Sequence, residues 1–174
     1  VVFQFARRGA QGDDFGMRLV RISTLEDAIS SLEKLADDVA VLRLKLPASE
    51  TFRFRAGQYI DILLADGKRR SFSIANAPHD SGFIELHIRH IEGGAFTPKI
   101  FAATKVRDIF RFEGPLGSFC VDETSTHPLI FLAGGTGFAP VKSIIEHLQA
   151  KGDTRPMWLY WGARQRAGLY MHET

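Results

Sequence analysis

The stretch LIFLAGGTGFAP, residues 129–140, passes from an apolar run through three glycines into a segment with helical spacing. The run PLIFLA is continuous rather than alternating, the pattern of a parallel strand buried on both faces. Beyond Pro140, the residues Val141, Ile144, Ile145 and Leu148 fall at the i, i+3, i+4, i+7 spacing of an amphipathic helix. KGD breaks that helix, and PMWLYWG reads as a second apolar strand, which completes a βαβ unit of roughly 35 residues. Gly134, Gly135 and Gly137 lie where strand hands over to helix, and helix-start amides and their positive dipole favour an anion there. Glycine also removes the Cβ that would hold a phosphate or a ring off the backbone. The spacing is neither G-x-G-x-x-G nor that of a nucleoside triphosphatase loop. Taken alone, it reads equally well as a tight turn.

Upstream of His127 the pattern is different. VAVLRLKLP alternates, with Leu42, Leu44 and Leu46 on one face and Arg43 and Lys45 on the other, until Pro47 ends it. QYIDILL, RRSFSIA, FIELHIRHI and VRDIFRFEGP read as further short strands. Turn signals separate them at Asp66-Gly67, Ser81-Gly82 and Gly93-Gly94, and AFTPKIFAATK adds one short helix. Such a series predicts a small antiparallel barrel or sandwich. The expected division is a lead-in of uncertain structure over 1–34, a β-barrel over 35–123, and an incomplete α/β unit over 124–174. Within the lead-in, TLEDAISSLEKLADD has the composition of a short helix. The first residue is valine and the closing LYMHET falls in an apparent helix, so a piece of a longer chain is expected.

Composition narrows the classes of function. A chain of 174 residues with 45% hydrophobic content can bury a core. A net charge of +2 offers no electrostatic case for nucleic acid or an anionic membrane as the main partner. No apolar run approaches the ~20 residues of a membrane span, and VVFQFARR makes a poor signal peptide. The single cysteine, Cys120, allows no internal disulfide and fits a cytoplasmic location.

Candidate site residues lie on three elements. In RRSFSIANAP, Arg70 and Phe72 share one face of a strand, with Ser71 and Ser73 opposite. A guanidinium can pair two phosphate oxygens and an aromatic can stack on a planar ring; an ordinary strand with a surface Arg and a core Phe is the plainer alternative. In ELHIRHIEGGAFTP, Ile84, Leu86 and Ile88 line one face and Glu85, His87 and Arg89 the other. Gly93 and Gly94 then lead into a helix start bearing Thr97, a second place for an anion. His87 and His90 face opposite sides of the strand and make a poor metal pair, so no metal is expected. There is no G-x-S-x-G elbow and no H-E-x-x-H. Cys120 reads as a packing residue, and GPLGSF as a loop at a ligand edge in preference to a kinked strand end.

Taken in order, RSFS, HIRHIEGGAFT, EGPLGSF, LAGGTGFAP and YWGAR resemble the ferredoxin–NADP reductase superfamily. Within it the chain is most similar to the flavin reductase domain of CDP-6-deoxy-3,4-glucoseen reductases and related NAD(P)H reductases. The resemblance runs from about residue 35 to the end. It implies a Greek-key flavin-binding barrel followed by a partial Rossmann-like nicotinamide-binding domain.

Arg70, Phe72 and Ser73, with Ser71 between them, match the flavin motif R-x-Y-S. The resemblance assigns the Arg to flavin phosphate, the aromatic to the isoalloxazine and the Ser to the neighbourhood of N5. His87, Ile88 and Arg89 match the strand bordering the flavin, and Gly93, Gly94, Phe96 and Thr97 the helix start that cradles its phosphates. Gly134, Gly135, Thr136 and Gly137 match the nicotinamide dinucleotide loop, whose Thr136 also lies near the flavin. Gly162 and Arg164 match the end of the next strand. Ser73 and Thr136 are thus the catalytic candidates.

The implied cofactors are FAD, with FMN possible, and NADH or NADPH as substrate. Electrons would pass to an iron–sulfur centre on a missing ferredoxin-type domain or a partner protein, because the four cluster cysteines are not in this sequence. A non-catalytic flavin-binding module and a free-flavin reductase are the alternatives.

Overall fold

The computed structural model describes residues 25–46, 52–94, 96–106 and 108–172. Six strands form one antiparallel sheet: β1 (Leu25–Ala36), β2 (Val39–Lys45), β3 (Tyr59–Leu63), β4 (Arg69–Ser73), β5 (Phe83–Arg89) and β6 (Ile109–Leu116). Their order is β4-β3-β6-β1-β2-β5, and an antiparallel bridge between Ile74 and Leu86 joins the two ends into a barrel. β2 does not pair with β3, nor β5 with β6, so both connections cross over, as a Greek key requires.

The alternation seen in the sequence sets which side faces in. Leu42 opposes Leu86 and Leu44 opposes Ile84 across the β2–β5 ladder, and all four are fully buried. Ile60, Ile62 and Phe112 fill the barrel from β3 and β6. Each such side chain contributes about 1.5–3 kcal/mol on burial. The short helix α1 (Thr97–Ala102), with Pro98 in its first turn, closes one end by burying Ile100.

Two expectations are corrected in this half. TLEDAISSLEKLADD is not a helix, since Leu25–Ala36 forms β1, paired with β2 on one side and β6 on the other. Helix propensity is worth only tenths of a kcal/mol per residue. Two flanking ladders instead satisfy the strand's backbone and bring Ile29 into the core. GPLGSF is divided: strand β6 extends to Leu116, and the loop begins only at Gly117.

The second unit is β7 (Leu129–Gly134), a 3-10 turn over Gly135–Gly137, α2 (Phe138–Ala150) and β8 (Met157–Gly162). β7 and β8 are parallel and pair from Leu129↔Met157 to Gly134↔Gly162. Val141, Ile144 and Leu148 of α2 pack on Phe131 and Ala133, as the helical spacing predicts. The expectation that the strands are buried on both faces is overturned. Ile130 is 66% exposed, Leu132 49%, Trp158 48% and Tyr160 61%. α2 covers one face, and among the described residues nothing covers the other. The apparent helix at the end is also corrected: Arg166–Gly168 is a 3-10 turn, and residues 169–172 continue as bends and turns.

Candidate functional site

On β4 the two adjacent arginines have different partners. Arg69, on the solvent face, forms an ion pair with Glu113 of β6. Arg70 opposes Ile62, as Phe72 opposes Ile60, so both lie on the inward face, as the sequence predicts. Arg70 donates to the Arg69 carbonyl at 2.7 Å, and among the described residues no carboxylate pairs with it. Phe72 is half-buried, tilted against Phe96 with ring centroids 5.8 Å apart. Ser71 donates to Asp61 at 2.6 Å, which occupies its hydroxyl. The Ser73 hydroxyl has no partner among the described residues.

The turn after β5 is closed internally. Thr97 Oγ1 accepts the Ile91 N–H at 2.9 Å, and Gly94 has no room for a Cβ, which would lie 2.9 Å from the Ile91 carbonyl oxygen. Gly93 has φ +71° and open space before it. The side chains of Ile88 and Phe96 lie in the barrel core, and His87 is buried with both ring nitrogens engaged. The side chains of these three are thus engaged within the protein.

Arg89 turns toward the second unit. Its guanidinium lies against Gly135, where an added Cβ would be 3.1 Å from the Arg89 Cζ, and its Nε is 3.3 Å from Asp38. Gly135 has φ +51°, so glycine is required there on conformational grounds as well. Trp161 of β8 donates through Nε1 to the Gly135 carbonyl at 2.9 Å. In front of Gly134 an added Cβ would meet nothing within 4 Å. The Thr136 hydroxyl has no partner among the described residues, Gly137 is the N-cap of α2, and Arg164 is exposed beyond the end of β8.

The two units are held together by polar contacts that sequence reasoning did not find. Ser143 of α2 donates to the Asn76 carbonyl at 2.7 Å and Lys142 to the Ala75 carbonyl at 3.3 Å, just past the end of β4. Glu85, almost fully buried on β5, receives Arg43 at 2.8 Å, Lys142 at 3.1 Å and His87 Nε2 at 3.2 Å. Burial by itself would raise the Glu85 carboxyl, but His87, Lys142 and Arg43 outweigh it and hold the group at about 2. His87 Nδ1 lies 2.8 Å from the hydroxyl of Tyr170, a group 83 residues further along the chain. Burial raises the Tyr170 hydroxyl and keeps it protonated. No spacing rule links residues so far apart. The only local signal was the polar face of β5, where Glu85 alternates with core residues.

A Greek-key barrel whose Arg70 pairs with no carboxylate among the described residues and lies on one strand face with an aromatic, joined to a parallel βαβ unit that carries a glycine loop, has the make-up of a two-ligand protein of the flavin–nicotinamide class. Comparison with known proteins agrees. Residues 27–120 match the family described as "Oxidoreductase FAD-binding domain", and residues 131–174 match "Oxidoreductase NAD-binding domain". The chain belongs to the FAD-binding oxidoreductase family, the ferredoxin reductase-like proteins, and its two domain types bind FAD and NAD(P)H.

Among curated relatives, the CDP-6-deoxy-L-threo-D-glycero-4-hexulose-3-dehydrase reductase of Yersinia pestis is 48% identical over 134 residues, covering 77% of this chain and 40% of that protein. Among solved structures, the Amycolatopsis cytochrome P450 reductase GcoB has a TM-score of 0.79 at 32% identity, covering 85% of this chain and 45% of that one. Phthalate dioxygenase reductase, described as a modular structure for electron transfer from pyridine nucleotides to a 2Fe–2S centre, has a TM-score of 0.75 at 25% identity, covering 84% and 46%. The chain thus spans about 40% of the length of the curated relative it matches.

Proposed function

We propose that this chain is the flavin- and nicotinamide-binding part of an NAD(P)H-dependent reductase whose electrons leave for an iron–sulfur centre on a ferredoxin-type domain or partner protein. Bound flavin would supply the redox chemistry that links a hydride donor, NAD(P)H, to a one-electron acceptor. The supporting observation is the docking of α2 directly behind β4 through Ser143 and Lys142, because it ties the glycine loop to the flavin motif. Alignment of this kind, with exclusion of water, is what a protein contributes to hydride transfer.

The residues present fit the cofactor. The half-buried Arg70 guanidinium lacks a carboxylate among the described residues and suits a diphosphate. Open space before Gly93 and Gly134 admits bound groups close to the backbone. In this reading Phe72 packs against the flavin ring, Ser73 and Thr136 offer hydroxyls at its edge, and Gly134, Gly135 and Gly137 receive the dinucleotide phosphates. Arg164 lies at the strand end where the nucleotide enters. We divide the chain between 123 and 124, with β1 included in the barrel, and assign the protein to the cytoplasm, where a single free cysteine is in keeping. No helix among the described residues is long and apolar enough to cross a membrane.

Spectroscopy tests this directly. The protein, incubated with FAD or FMN and desalted, should retain flavin absorbance; no retained flavin refutes the reading. The alternative reading is a flavin-binding module without turnover. Anaerobic stopped-flow mixing with NADH and NADPH separates the two: bleaching identifies the reductase, and unchanged absorbance the module.

A further inference from the structure

Glu85, His87 and Tyr170 form a buried polar chain, in which the His87 side chain is fully inaccessible and that of Glu85 nearly so. Glu85 is ionised and can only accept, so His87 meets it with a hydrogen on Nε2. Its Nδ1 meets the Tyr170 hydroxyl at 2.8 Å. Lys142 returns the chain from Glu85 to α2.

On the other side, the Tyr170 ring stands edge-on to Trp161 at 5.1 Å and 90°, and Trp161 stacks on Phe138 at 4.0 Å and 17°. Trp161 in turn holds the Gly135 carbonyl. The contacts make a closed circuit: β5, the terminal turn, β8, the glycine loop, α2 and back to β5. Every side chain in it is at least partly buried, and no member lies on the β4 motif.

We infer that Tyr170 is a positioning residue for hydride transfer, locking the Gly134–Gly137 loop against the flavin barrel through His87 on one side and Trp161 on the other. The inference rests on the reductase reading above. Without the hydroxyl the loop keeps its sequence, its glycines and its contact with Arg89 but loses the tether that runs through Tyr170 and His87. The loop then samples more positions, fewer of which hold the nucleotide in line with the flavin. Misplacement of about 1 Å is enough to lower such a rate severely.

Tyr170→Phe removes one oxygen and keeps the ring. Trp161→Phe, a second variant, removes the donor to Gly135 and keeps an aromatic in the stack. In the flavin-free protein, amide hydrogen exchange at residues 135–138 should quicken by about tenfold or more in both variants, with β2 and β3 unchanged. In the flavin-loaded protein, Tyr170→Phe should retain flavin as wild type does. Its bleaching rate at saturating NADH or NADPH should fall by about tenfold, with a much smaller change in the half-saturating concentration.

Unchanged exchange at the loop overturns the inference. So does faster exchange with a wild-type saturating rate, which would leave Tyr170 a structural contact only. If wild-type protein binds flavin but no nucleotide bleaches it, the reductase reading fails, and the proposed role in hydride transfer fails with it. The exchange comparison still decides whether the lock exists.

Discussion

Arg69 and Arg70 are neighbours in sequence with opposite expected phenotypes. Arg70→Ala should weaken flavin affinity by roughly 2–4 kcal/mol, because it removes a charge-assisted phosphate contact in a partly desolvated place. Arg69→Ala loses an exposed ion pair with Glu113 and should cost less than about 1 kcal/mol of stability, with flavin affinity unchanged. Flavin titration of both variants checks the contrast, and equal affinities would return Arg70 to an ordinary surface role.

Glu85 carries the acid sensitivity. Its folded value of about 2 lies below its ordinary 4.5, so its stabilisation is complete above 4.5 and lost as pH falls toward 2. The amount is about 3 kcal/mol. Glu85→Gln should be less stable at neutral pH and show a flatter decline between pH 4.5 and 2 in denaturant titrations; parallel declines would refute this. Gly57 is a further sensitive position. Its φ is +97°, and a Cβ would lie 1.8 Å from the Phe119 carbonyl oxygen. Gly57→Ala should destabilise by about 3 kcal/mol or more, read as a shift in the denaturation midpoint.

Secondary-structure elements differ in how far the sequence discloses them. The strands β2 and β5 are legible because each alternates and each has one face against the core; the two glycine turns and α2 are legible from turn chemistry and helical spacing. β1 is not. Its Leu, Glu, Ala and Lys residues favour a helix locally, and only the presence of β2 and β6 on either side makes the strand the better state. β7 and β8 were legible as strands but not in their burial, because the number of covering layers is a property of the assembled fold. Within the site, the inward pairing of Arg70 with Phe72 followed from strand periodicity. The Tyr170–His87 contact could not, since nothing local announces a partner so distant.

α2 gives a prediction at this scale. Ser143 is fully buried and bonds the Asn76 carbonyl, so Ser143→Ala should lower stability by about 1–2 kcal/mol through the stranded acceptor. Thermal unfolding measures it, and an unchanged midpoint would mean that this bond contributes nothing to the docking of α2.

At the scale of the molecule, among the described residues the βαβ unit is covered on one side only. The outer face of β7 and β8, with Ile130, Leu132, Trp158 and Tyr160, is a contiguous apolar patch of the kind monomers rarely display. A solvatochromic hydrophobic dye should therefore bind the native protein. The double variant Ile130→Lys, Tyr160→Lys should lose most of that signal while its stability stays within about 1 kcal/mol. Persistent dye binding in the double variant would locate the accessible apolar surface elsewhere.

The same two-faced strand has an optical consequence. Trp158 and Trp161 are three positions apart on β8 and so point to opposite sides, one into solvent and the other onto Phe138 beside the glycine loop. An aqueous quencher such as iodide should remove the red-shifted emission of Trp158 first and leave the blue-shifted emission of Trp161. The remaining fluorescence then belongs to a single indole, bonded through its Nε1 to Gly135. Titrating nucleotide against that residual signal reports the state of the loop without a label, and Trp158→Phe gives the same reporter without quencher.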